Sequence, residues 1–132
     1  SLEYSVKFAG SKAIVVLGHT HCSAIKSACD GVKVGNIAQL IGKISPAIKA
    51  TPNIGGADRS SKNYEFVDLA AVKNVELTLK AIRKNSPLLK EMESEGSIVI
   101  AGAMLDIESG QVTFLGEFTA KPVKTTIKSS KE

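Results

Sequence analysis

Two apolar runs near opposite ends of the sequence, "AIVVL" (Ala13–Leu17) and "SIVIAGAMLDI" (Ser97–Ile107), constrain the fold more than any other feature. Both are short, aliphatic and rich in β-branched residues. They read as strands buried on both faces, as the strands of parallel sheets are. Gly18 is expected to end the first. Helix-patterned chain fills the distance between them, and strands joined through helices run in the same direction. A third run, "QVTFLGEF", alternates and follows the second after "ESG", where Gly110 stands at the positive-φ position of a hairpin turn. The expected architecture is therefore α/β: a parallel sheet core with flanking helices and an antiparallel edge hairpin.

The helices are read from apolar spacing. Leu2, Val6 and Ala9 recur at helical steps, and Gly10 stands where such a helix would stop. From Cys22 to Asp30 a second helix places Ile25, Ala28 and Cys29 on one side, with Gly31 as its stop. "VGNIAQLIGKISPAIKA" is a third, carrying Ile37, Leu40, Ile41, Ile44 and Ile48; Pro46 is expected to bend or split it. "TPNIGGADRSSKN" is a loop broken by Pro52 and the Gly55–Gly56 pair. Tyr64, Val67, Ala71, Val75, Leu79 and Ile82 then sustain the strongest helix over five turns. Ser86 and Pro87 form an N-cap and first helical position for a short helix that stops at Gly96.

A sheet of two buried strands and one edge strand is thin. "AIVVL" needs neighbours on both sides, because an apolar strand with an unpaired edge invites aggregation. The chain does not open on methionine, and "SLEYSVKFAG" is already helical in pattern, so a preceding portion that supplies a neighbour is expected. The 132 residues suffice for one modest core, and with 43% hydrophobic and 23% charged residues the chain is of the folded, globular type. Its charge of +4 owes much to four lysines in "KPVKTTIKSSKE", a solvated tail with no apolar period. No basic stripe with interleaved aromatics accompanies them, so no nucleic-acid partner is expected. No apolar run is long enough for a membrane span, and no membrane partner is expected either.

Both histidines and both cysteines of the chain fall within "GHTHCSAIKSAC". Ligands of parallel α/β sheets bind just past the carboxyl ends of strands, which is where "GHTHC" stands. His19 and Cys22 are three residues apart across a strand-to-helix turn, and imidazole and thiolate so placed can converge on one ion such as zinc. The amides of the following helix favour negative charge on the sulfur. The same spacing also arises without any metal. Cys29 is seven residues past Cys22, about 10 Å along a helix, and reads as a small buried hydrophobe. His21 is expected to leave the turn in another direction, to an exposed or rim position.

"SLEYSVKFAGSKAIVVLGHTHCSAIKSAC" resembles a block of the β-class carbonic anhydrases: a helix, a strand ending in Gly-His-x-x-Cys, usually followed by glycine, and another helix. "VKNVELTLKAIRKNSPLLKEM" and "IVIAGAMLDIESGQVTFLG" are similar to the family's long C-terminal helix, last core strand and closing hairpin. The resemblance implies an incomplete β-carbonic-anhydrase-like fold over residues 1–119, truncated at its front, with 120–132 as a basic C-terminal tail. It implies a zinc cofactor (Zn2+), with His19 and Cys22 as two of three protein ligands. The family's other cysteine lies in an upstream Cys-x-Asp-x-Arg motif that this chain lacks, and so does the Asp–Arg dyad. "ADRS" (Ala57–Ser60) has no cysteine and follows the wrong helix. Ser23 replaces the usual glycine and narrows the space beside the site.

The implied activity is reversible hydration of carbon dioxide to bicarbonate by the parent protein. The isolated chain is expected to be inactive, with no catalytic residue of its own, and to form a homodimer or higher oligomer. The alternative is a carbonic-anhydrase-like binding or scaffold module that no longer catalyses and repairs its bare strand edge by oligomerising.

Overall fold

Residues 1–53 and 58–116 are described by a computed structural model. The element order is α1 (Leu2–Lys7), β1 (Ala13–His19), α2 (Ser23–Cys29), α3 (Ile37–Ala50), α4 (Tyr64–Asn85), α5 (Pro87–Ser94), β2 (Val99–Leu105) and β3 (Val112–Phe114). Each predicted element is present in the predicted order. The Gly55–Gly56 breaker, the residues of the third run beyond Gly116 and the basic tail lie outside the described residues.

The sheet has the order β1-β2-β3. β1 and β2 are parallel, from Ala13 opposite Val99 to His19 opposite Leu105, and β3 returns antiparallel to β2. Helix α4 is the hub: it touches α2, α3, α5, β1 and β2. Two apolar clusters meet along it. One gathers Ile25, Ile41, Ile44, Val67, Val75 and Met104 beneath the carboxyl ends of the strands; the other holds Val6, Ile14, Leu89, Ile98 and Ile100.

Local chemistry explains the helix limits. Asn63 caps α4, its side-chain oxygen accepting the Phe66 amide. Ser86 caps α5, accepting the Leu89 amide at 3.2 Å, with Pro87 at the first position. The buried Ser86 hydroxyl also donates to the Glu3 carboxylate, joining α1 to the α4–α5 corner.

Three expectations are corrected. β1 is not buried on both faces: Val15 and Leu17, on the face away from α4, are about half exposed, and β2 is its one strand partner among the described residues. Gly18 does not end the strand but lies within it, since the ladder continues to His19. Pro46 does not split α3, which runs unbroken to Ala50. Its missing amide leaves the carbonyl of Gly42, an exposed residue that water can reach. β3 is a short outer strand, exposed at all three of its residues.

No helix among the described residues is long and apolar enough to cross a membrane.

Candidate functional site

β1 delivers His19 at its carboxyl end, and the chain reverses through Thr20 and His21 to Cys22, the N-cap of α2. The turn is held on every side. The Thr20 amide donates to the Leu105 carbonyl at 3.0 Å, and the Thr20 hydroxyl accepts the Ile107 amide at 3.1 Å. Both bonds fasten it to the end of β2. From α4, Asp68 Oδ1 accepts the His21 amide at 3.0 Å. His21 itself has φ +53°, the one left-handed residue other than glycine among those described.

The structure brings His19 and Cys22 together and sends His21 elsewhere. A cleft of about 370 Å³ is lined by His19, Cys22 and Leu17, with Leu40 and Lys43 from α3 and Asn74 from α4 among its walls. The His21 ring instead meets Tyr64 edge-on, 5.0 Å between centroids, and its Nε2 lies 3.6 Å from Glu108. Lys26 Nζ sits 4.8 Å above the other partner of that stack, Tyr64. Cys29 packs against the α2–α3–α4 cluster; burial pushes its thiol pKa up, and the charge of Asp30 adds to the rise. That is the environment of an inert, protonated cysteine.

His19 is oriented for a ligand. Its Nδ1 lies 2.9 Å from the Thr20 carbonyl oxygen. A carbonyl can only accept, so in the neutral ring this contact places the proton on Nδ1 and leaves the Nε2 lone pair available to a metal. Ligating histidines are typically held in this way through their other nitrogen. One imidazole and one thiol in a shared cleft are a donor pair suited to zinc, but zinc takes about three or four ligands. Among the described residues no three His, Cys, Asp or Glu side chains gather around a common point. The donor chemistry fits; the set is partial.

The "ADRS" arginine is accounted for structurally. Arg59 donates to the carbonyls of Ile48 and Thr51 and to Asn53 Oδ1, closing the end of α3, and lies 4.7 Å over the Phe66 ring. In the acidic turn between β2 and β3, the Glu108 amide donates to Asp106 and holds that carboxyl below its usual range.

Sequence reasoning did not single out Lys43, Asn74 or Asp68. All three sit on helical faces with no motif around them, and Asp68 reaches a turn 47 residues away in sequence. The one clue was general: the carboxyl ends of parallel strands are where neighbouring helices contribute to a site.

A small mixed sheet with flanking helices and a His-x-x-Cys turn at the carboxyl end of its first strand defines the α/β architecture of this chain. A family model described as carbonic anhydrase matches residues 1–112. Carbonic anhydrase 2 of Mycobacterium tuberculosis is 25% identical over 116 residues, a match spanning 84% of this chain and 52% of the relative. Among solved structures, the β-carbonic anhydrase CafA of Aspergillus fumigatus aligns with a TM-score of 0.73 at 24% identity, over 86% of this chain and 53% of that one. A tetrameric β-carbonic anhydrase of Sordaria macrospora aligns with a TM-score of 0.70, also at 24% identity, over 87% of this chain and 57% of that one. The chain belongs to the β-class carbonic anhydrase family. It spans about half the length of the curated relatives it matches.

Proposed function

We propose that this chain carries part of the zinc site of a protein that reversibly hydrates carbon dioxide to bicarbonate. The observation that best supports this reading is that His19 and Cys22 line one cleft at the end of β1, in a chain of the carbonic anhydrase family. His19 would bind through Nε2, because Nδ1 is occupied by the Thr20 carbonyl. Cys22 would bind through its sulfur. When bound, zinc supplies a Lewis acid that makes water nucleophilic near neutral pH. The remaining cysteine ligand and the Asp–Arg dyad would come from a Cys-x-Asp-x-Arg segment outside these 132 residues. On this reading residues 1–119 belong to the catalytic domain, 120–132 form a tail, and the isolated chain is inactive.

A second reading is favoured by the edge of β1 that has no strand partner among the described residues, with Val15 and Leu17 half exposed. In it the chain is a non-catalytic carbonic-anhydrase-like module that covers this edge by oligomerising. Either form is proposed to assemble as a homodimer or larger, an expectation that gains weight from the tetrameric Sordaria relative.

The test is the zinc content and carbon dioxide hydration rate of the intact gene product. The enzyme reading expects about one zinc per subunit, lost from His19→Ala and from Cys22→Ser. Zinc retained by either variant would overturn the ligand assignment. A product that neither binds zinc nor hydrates carbon dioxide would leave the second reading standing.

A further inference from the structure

Between His19 and Cys22 the backbone passes through a conformation that its sequence does not favour. His21 lies at φ +53°, a region that residues with side chains seldom occupy unless their surroundings impose it. The conformation decides where Cys22 points relative to His19, since an extended or right-handed His21 would redirect the chain that follows. Something must hold it. The His21 amide donates to Asp68 Oδ1 at 3.0 Å, and Asp68 sits on α4, the helix against which the sheet and α2 both pack. On the other side of the turn, the Thr20 bonds to Leu105 and Ile107 fix the preceding residue to β2.

We infer that Asp68 is a positioning residue for the metal pair: by accepting the His21 amide it keeps the turn left-handed and so sets the separation of the His19 and Cys22 donors. This rests on the zinc reading above. Asp68 itself is not a ligand; it acts through the backbone. The contacts of the His21 ring with Tyr64 and Glu108 supplement the tether from the side-chain end. They do not replace it, because they leave the amide without an acceptor.

The measurement is metal binding by the full gene product, in which zinc affinity is read by competition and donor geometry by the thiolate charge-transfer and ligand-field bands of the cobalt form. Three variants are compared with the parent: Asp68→Ala, Asp68→Asn, and Asp68→Ala combined with His21→Gly. Asp68→Ala should weaken zinc binding about 10-fold or more, the usual effect of losing a group that orients a ligand, and alter the cobalt spectrum. Asp68→Asn keeps a side-chain oxygen for the amide and should stay within about 3-fold of the parent. The double variant should recover most of the loss, since glycine adopts the left-handed conformation unaided.

Zinc affinity and cobalt spectrum unchanged in Asp68→Ala, or a loss that glycine at position 21 does not restore, would overturn the inference while leaving the zinc reading intact. If Asp68→Ala fails to fold but the double variant folds and binds, the role is upheld. If both fail to fold, Asp68 serves the domain as a whole and the positioning role is wrong. A parent protein that binds no metal would remove the zinc reading, and the inference with it.

Discussion

Single residues set how closely the layers of this domain approach. Gly18 and Gly102 both face α4: a Cβ on Gly102 would lie 2.8 Å from Val75 Cγ1 and 2.9 Å from Leu79 Cδ1, and one on Gly18 would lie 2.7 Å from Met104 Sδ and 2.8 Å from Val75 Cγ2. Gly102→Ala should therefore destabilise the protein by about 1–3 kcal/mol in urea unfolding, as overpacking does. Gly42 in α3 is the control. It is exposed, nothing lies within 4 Å of its Cβ position, and Gly42→Ala should stabilise by about 0.5–1 kcal/mol. The sequence announced the glycines but misassigned Gly18, because a glycine that stops a strand and a glycine that lets a helix approach look alike in one dimension. The same limit applied at the proposed metal pair. His19 and Cys22 could be singled out from spacing and place, whereas Asp68 could not, because its partner is a backbone amide that every residue carries.

Elements were the most legible scale, since apolar period and capping chemistry are local. The Ser86–Pro87 start of α5 and the glycine stops after α2 and α5 were all readable from a few residues. The end of α3 at Ala50 was readable as well, but not what closes it, for that depends on Arg59 reaching back to Ile48 and Thr51. Arg59→Ala removes the guanidinium bonds to those carbonyls and should cost about 1.5–3 kcal/mol in chemical denaturation. Arg59→Lys should restore only a minor part, since an ammonium lacks the planar fork that spans several acceptors. Between α2 and α4, the Asp30 carboxylate accepts hydrogen bonds from the Ser61 side chain and from the Ser61 amide, the latter at 2.9 Å, and together they hold its pKa below the usual value. A depressed folded pKa gives stability at neutral pH that disappears as pH falls through the carboxylate range, below about 4. Asp30→Asn should thus flatten the loss of stability on acidification, as followed by denaturant midpoints from pH 6 to pH 2.

For the whole molecule, the sheet was legible in direction but not in its borders. Parallel pairing of β1 and β2 followed from the helices between them; the half-exposed face of β1 and its unpaired edge among the described residues did not, because its composition is that of a strand covered on both faces. An apolar edge of this kind associates with whatever will pair with it. The isolated 132-residue chain should self-associate with rising concentration in sedimentation analysis, and Leu17→Lys should shift it towards monomer, because a charge on an edge strand discourages pairing. The register has a further consequence in time. Ala13 pairs with Val99 and His19 with Leu105, so almost all of the described chain must be synthesised before β1 meets its partner. At about 5–20 residues per second that wait lasts several seconds, with the first strand outside the ribosome and the second not yet made. Pairings so distant along the chain also form slowly. β1 is thus the segment that a chaperone would most usefully hold during synthesis.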